Sequence, residues 1–115
     1  MYQTKIDTST LASSPQDFEG VSMKVLQQDE NTGGMSILLR MNPGSSIPAH
    51  HHTHADETVF VIKGDFVEDG VSYSRGSFFT GRAGTPHGPH GTSKGCVVLI
   101  TFSATLDFIF VSPTT

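Results

Sequence analysis

Four of the chain's six histidines, His50, His51, His52 and His54, fall within five consecutive positions of the stretch "PAHHHTHADETVFVIKG", residues 48–64. The other two, His87 and His90, follow in "GTPHGPHG". Imidazole is the commonest protein ligand for borderline divalent metals, and a carboxylate adds charge neutralisation. On an extended chain an H-x-H pair turns two imidazoles to one side, so His50 and His52 can grip one ion with bonds of roughly 2.0–2.2 Å. Glu57 is placed to supply a third ligand after a short turn, and His87 is the obvious donor from a remote strand. His51 has the wrong parity and is expected to face away. His54 shares the parity of His50 and His52 and is the alternative to Glu57. On a six-coordinate ion, three imidazoles and one carboxylate leave one or two positions open for a substrate.

The elements that must position these groups read as short strands. "VSMKVLQ" (21–27) and "MSILLRM" (35–41) flank the turn-forming "QDENTGG". "ETVFVIK" (57–63) runs up to Gly64, and "FVEDGVSY" carries an Asp69-Gly70 hairpin signal ahead of "GSFFT". "GCVVLITF" (95–102) and "LDFIFV" (106–111) complete the set. Turn signals recur about every 8–12 residues, the rhythm of a sandwich or barrel, and predict one all-β domain of eight to ten strands. Residues 1–20 form an N-terminal arm or a short helix beside it. Within 57–63 both alternating sets, Glu57/Val59/Val61 and Thr58/Phe60/Ile62, are largely apolar. Both faces of that strand are therefore expected to be covered, one of them by a dimer partner.

Composition sets limits on function. A chain of 115 residues is one small domain. Charged residues are 16% of it, apolar residues 36%, with Gly 12 and Pro 6, as suits a turn-rich globular β protein. The formal charge is −4 with no basic cluster, which argues against nucleic acid as a partner. No apolar run approaches the ~18 residues of a membrane span, and "MYQTKIDTSTLASS" lacks a signal-peptide core. The single cysteine, Cys96, cannot form an internal disulfide and is expected to be a buried apolar residue, so a cytoplasmic location is expected.

Residues 44–64, "GSSIPAHHHTHADETVFVIKG", match the first cupin motif, G-x5-H-x-H-x4-E-x6-G, without a gap through Gly44, His50, His52, Glu57 and Gly64. Residues 76–87, "GSFFTGRAGTPH", resemble the second motif, G-x5-P-x-G-x2-H-x3-N, through Gly76, Gly84 and His87. Two positions depart: Arg82 replaces the proline and Gly91 the asparagine, which bears on the loop more than on the metal ligands. The two motifs cover about a third of the chain. The resemblance implies a cupin barrel (a double-stranded β-helix, or jelly roll) spanning residues 1–115. It also implies metal ligation by His50, His52, Glu57 and His87.

Within cupins the chain is similar to the acetylacetone-dioxygenase and ChrR-like group, whose members carry Fe(II) or Zn(II) and include both C–C-cleaving dioxygenases and regulatory domains. The expected function is a metal-dependent dioxygenase of a small carbonyl (β-diketone-like) or phenolic substrate, with one divalent ion per chain. Fe(II) is the first expectation, with Zn, Ni or Mn as alternatives. A metal-dependent isomerase or lyase on the same site, or a non-catalytic small-ligand sensor, are the other readings. A homodimer is expected, since small cupins tend to pair sheets. Phe60, Phe66, Phe78, Phe79, Phe102, Phe108 and Phe110 are expected mostly in the core, with one or two of them lining a pocket. Arg40 is either a surface residue or an anion clamp in the pocket, and His90 either stands near the site mouth or has no role there.

Overall fold

A computed structural model describes residues 1–111. After a single 3-10 turn at Thr8–Thr10, the strands in chain order are β1 (Ser14–Pro15), β2 (Val21–Gln28), β3 (Met35–Met41), β4 (Ser46–Ile47), β5 (His50–His51), β6 (Glu57–Glu68), β7 (Val71–Ser74), β8 (Phe78–Gly81), β9 (His90–Gly91), β10 (Cys96–Phe102) and β11 (Ile109–Phe110). The all-β expectation holds, but with eleven strands among the described residues rather than eight to ten, because five two-residue pairings add short strands the turn signals do not mark. The main sheet runs β1-β2-β3-β10-β6-β9-β4, with β7 and β8 also paired to β6, and its strands pair antiparallel among the described residues. A separate two-stranded piece joins β11 to β5.

Strand β6 does not stop at Gly64 as the turn signal suggested. It continues for twelve residues and changes partners on the way. Glu57 to Phe60 pair with β8, and the same stretch out to Gly64 pairs with β10. Asp65 to Glu68 pair with β7, and Val67 and Glu68 with β9. Gly64 is the bend between these halves. Its φ is +82°, and a Cβ there would lie 1.9 Å from the Gly95 carbonyl oxygen, so only glycine lets the two backbones approach. The ladder register slips beside it, between Val97 and Val98. Past the bend, Asp69 (φ 48°) and Gly70 (φ 82°) are both left-handed, the requirement of a tight two-residue hairpin turn, as their sequence predicts.

Alternation along the long strands fills the interior. Ile37 pairs with Ile100 and Ile100 with Val59, and one rung on Leu39 pairs with Val98 and Val98 with Val61. All six are buried, with Val61 and Val98 fully so. The same parity that turns Val59 and Val61 inward turns Glu57 inward, onto the rung of Phe102 and Gly81. The opposite set points outward: Phe60 is 41% exposed and Ile62 38%. Phe78, cross-strand from Phe60, is likewise exposed, so these two phenylalanines lie outside the core, contrary to the expectation. Phe108 and Phe110 are also exposed in part, whereas Phe66 and Phe102 are buried. Arg40 lies on the outer face, exposed between Ser22 and Val97, which removes it as a clamp in the pocket. Cys96 is buried as expected, and burial pushes its thiol up to about 11.

Candidate metal centre

The two histidine segments are joined backbone to backbone. His50 N–H donates to the His87 carbonyl (3.0 Å) and His87 N–H donates to the His50 carbonyl (2.8 Å), an antiparallel bridge between segments far apart in sequence. Gly84 N–H donates to the His52 carbonyl at 2.7 Å, and Asp56 accepts from Ala83 N–H at 2.8 Å. From the other side, β11 pairs with β5, setting Phe110 opposite His50. These bonds leave the imidazoles of His50, His52 and His87 mutually edge-on or tilted, with ring centroids 4.5 to 5.0 Å apart.

His52 and His87 turn ring nitrogens to the Glu57 carboxylate, and His50 meets His87. His87 Nε2 lies 3.1 Å from His50 Nε2 and 3.0 Å from Glu57 Oε1, and His52 Nε2 lies 3.4 Å from Glu57 Oε2. Donor atoms bound to one ion at about 2.1 Å stand roughly 3.0–3.4 Å apart in octahedral or tetrahedral geometry, and these three separations match that spacing. The tautomers agree. His50 Nδ1 is 2.7 Å from the Pro48 carbonyl and His52 Nδ1 is 2.6 Å from the Asp107 carbonyl. A carbonyl oxygen only accepts, so both Nδ1 atoms carry the proton and both Nε2 atoms present a lone pair. His52 Nε2 is buried without a hydrogen-bond partner, a costly arrangement that an ion relieves. On these grounds the residues present fit a divalent metal.

Electrostatics favours the neutral, ligating state at His50 and His87. Burial pulls His50 down to about 4, against the Pro48 bond, with His87, His90 and His52 adding to the depression. His87 is also held below the usual histidine range, by burial first and then by its histidine neighbours, against the pull of Glu57. Both are therefore neutral near pH 7 and able to ligate. Burial would raise the Glu57 carboxyl, but the His52 contact and the fields of His87, His52 and His90 outweigh it and keep the group ionised. His52 moves the other way: Glu57 and the Asp107 carbonyl overcome its burial and raise it.

The four residues singled out in the sequence, His50, His52, Glu57 and His87, are thus brought together. His54 is not. The chain bends after His52, where Asp107 caps the Thr53 N–H (2.7 Å), and the extended parity that grouped His54 with His50 ends there, leaving it exposed. His51 is half-buried opposite Ile109 and outside the cluster. Asp56 is exposed and serves the Ala83 loop. His90, given no firm role from the sequence, stands beside the centre: it is 9% exposed, and its ring stacks on His87 at 5.3 Å and meets His50 edge-on. The H-x2-H spacing of "PHGPH" was the available signal, but its meaning depends on which strand His90 joins.

The centre opens onto a cavity of about 160 Å³ whose walls are apolar: Ile37, Leu39, Val59, Phe66, Ile100 and Phe102. Phe18, Leu106, Phe108 and Phe110 line it as well, and Phe18 meets Phe110 edge-on at 5.9 Å. A cavity of about 150 Å³ holds a molecule the size of benzene. Asp17 and Glu57 are the acidic residues of the lining, and no lysine or arginine is in it among the described residues.

Comparison with known proteins places this geometry in context. A family model described as the ChrR Cupin-like domain matches residues 2–106. No curated protein matches the chain. Among solved structures, the polyketide cyclase RemF from Streptomyces resistomycificus superposes with a TM-score of 0.81 at 16% identity, covering 98% of this chain and 88% of that one. An acetylacetone dioxygenase from Acinetobacter johnsonii superposes at 0.74 with 21% identity, covering 97% and 78%. KdgF from Halomonas sp. superposes at 0.74 with 20% identity, covering 84% and 91%. At these identities the likeness is one of fold, and it agrees with the curled antiparallel sheet described above.

Proposed function

We propose that this chain, which belongs to the ChrR cupin-like family, is a metal-dependent dioxygenase of small uncharged carbonyl or phenolic compounds, β-diketone-like in size and polarity. The observation that carries the reading is the cluster at the wall of a small apolar cavity in which His52 and His87 meet the Glu57 carboxylate and His87 meets His50. His50, His52, His87 and Glu57 would hold one divalent ion, Fe(II) in this reading. Such an ion supplies the redox coupling between an oxygen-chelating substrate and dioxygen, and both atoms of dioxygen end in the cleavage products, so no further oxidant or reductant is required.

The chain's own residues do the rest. The Pro48 and Asp107 carbonyls fix the tautomer and direction of His50 and His52. Glu57 offsets part of the ion's charge. Ile37, Val59, Ile100 and Phe102 exclude water and leave the ion as the principal polar anchor for an entering carbonyl. The acetylacetone dioxygenase among the structural neighbours supports the reading as a use to which this fold is put. The polyketide cyclase supports a second one, a non-oxidative reaction of an enolisable carbonyl on the same centre.

Elemental analysis of protein purified without added metal, with single alanine variants, tests the site. His50→Ala, His52→Ala and His87→Ala should each lose most bound metal, and Glu57→Ala less, while His51→Ala and His54→Ala retain it. Unchanged metal content in the first three would refute the site. Oxygen uptake with a β-diketone, present with Fe(II) and absent with Zn(II), is the expected activity. Turnover that persists under strict anaerobiosis would transfer the assignment to the non-oxidative reaction.

A further inference from the structure

His90 lies outside the ligand set that the sequence motifs supply, yet it is built like a ligand. It stands on β9, cross-strand from Glu68 of β6 and Ile47 of β4. Its Nδ1 packs against Glu68 Oε2, and Glu68 is itself anchored, accepting from Gly88 N–H at 2.7 Å. Phe66 lies against the ring on one side at 5.0 Å and His87 stacks against it at 5.3 Å, so the imidazole is held in place by packing. A carboxylate at Nδ1 draws the ring proton to that nitrogen and leaves Nε2 with a free lone pair, the arrangement that metal-bound histidines share. His50 and His52 reach the same state through backbone carbonyls.

Position agrees with chemistry. Ligand-capable atoms of His50, His87 and His90 lie within 4.8 Å of one another, and so do those of His52, Glu57 and His87. The two triads share His87, and the His50 and His87 nitrogens are 3.1 Å apart, too close for each triad to hold an ion of its own through those same atoms. His90 also lines the apolar cavity and is buried.

We propose that His90, oriented by Glu68, is a further ligand of the same ion, giving the centre four imidazoles and one carboxylate. This rests on the reading that His50, His52, His87 and Glu57 bind a metal. The added imidazole leaves a six-coordinate ion with a single open position when all five ligands are engaged, so a chelating substrate must displace one of them.

The direct test is NMR of the metal-loaded protein, with NMR-active cadmium and nitrogen-labelled histidine. Four imidazoles showing cadmium–nitrogen coupling, one of them lost in His90→Ala, is the expected result. Three in the wild type, with none lost in His90→Ala, overturns the proposal while leaving the motif site intact. No coupling to His50, His52 or His87 would instead refute the underlying site. Affinity gives a second readout: Glu68→Gln should weaken cadmium binding by about 10–100-fold, the usual cost of removing a group that orients a metal-bound histidine. An unchanged affinity in Glu68→Gln overturns the orienting role. The wild-type coupling count stands even if His90→Ala fails to fold.

Discussion

The neutral state of His50 makes the metal-free protein acid-sensitive in a defined window. In the fold this histidine titrates near 4 because burial penalises its charged form, whereas an unfolded histidine titrates near 6.5. A depressed histidine contributes no penalty above 6.5, and its fold loses stability as pH falls from there towards 4, because the unfolded chain takes up the proton first. The full slope is about 1.4 kcal/mol per pH unit, so between pH 6.5 and pH 5 His50 alone should remove about 1.5 kcal/mol. The window excludes the competing groups. Glu57 and Glu68 are held below their usual range, so their contributions are lost only at lower pH, and the raised His52 loses its contribution only above 6.5. His87, also depressed, adds to the fall in the same direction. Urea unfolding of chelator-treated wild type and His50→Gln at the two pH values measures it. The wild type should lose at least about 1.5 kcal/mol, and His50→Gln should lose less by about that amount. Equal losses in the two proteins would show that His50 is not a buried neutral imidazole in the metal-free fold, and the lone-pair argument for its ligand role would fall with it.

Two further outcomes concern the scaffold. Gly64→Ala places a Cβ 1.9 Å from the Gly95 oxygen at a left-handed φ, so it should cost more than about 3 kcal/mol or prevent folding; a Tm within a few degrees of wild type would contradict the bend described at Gly64. The outward row of Phe60, Ile62 and Phe78 is a sheet face without cover, and a homodimer is expected to form on it, sedimenting as such at micromolar concentration and reverting to a monomer in Phe60→Lys; a wild-type monomer would remove the expectation.

What could be read from the sequence was what is decided within a strand or a turn. Alternation grouped Glu57 with Val59 and Val61, and the Asp69-Gly70 pair marked its own hairpin. Which of the two apolar faces of β6 turned inward could not be read, because that depends on β10 and β3 supplying Ile100 and Ile37 on one side only. Gly64 looked like an ending and is a bend, a distinction made by the approach of Gly95 from another strand. His54 followed the parity of His52 in sequence and lost it in space because Asp107 caps Thr53 and turns the chain. His90 gained its place through Glu68, a partner 22 positions away that only the β6–β9 pairing brings near.

The departure at Arg82 shows how long-range bonding replaces a local constraint. A proline at this position would stiffen the loop ahead of His87 by fixing φ in the unfolded and folded chain alike. Here the loop is tied instead by three hydrogen bonds: Ala83 N–H to Asp56 Oδ1, Gly84 N–H to the His52 carbonyl, and Thr85 N–H to the Arg82 carbonyl. Two of the three acceptors belong to the segment that carries His52 and Glu57. The loop is therefore referenced to the first motif itself, and His87 arrives at Glu57 through bonds that also fix where His52 stands. The same logic holds at the far end of the chain, where the Asp107 carbonyl orients His52 and the neighbouring Phe108 closes over the His50 and His52 rings at 4.9 and 5.1 Å. Loop, strand and C-terminal segment are positioned against the ligands rather than against one another. Geometry at the centre is thus a property of the assembled barrel, and loosening any one of these three segments should register first as weaker metal binding.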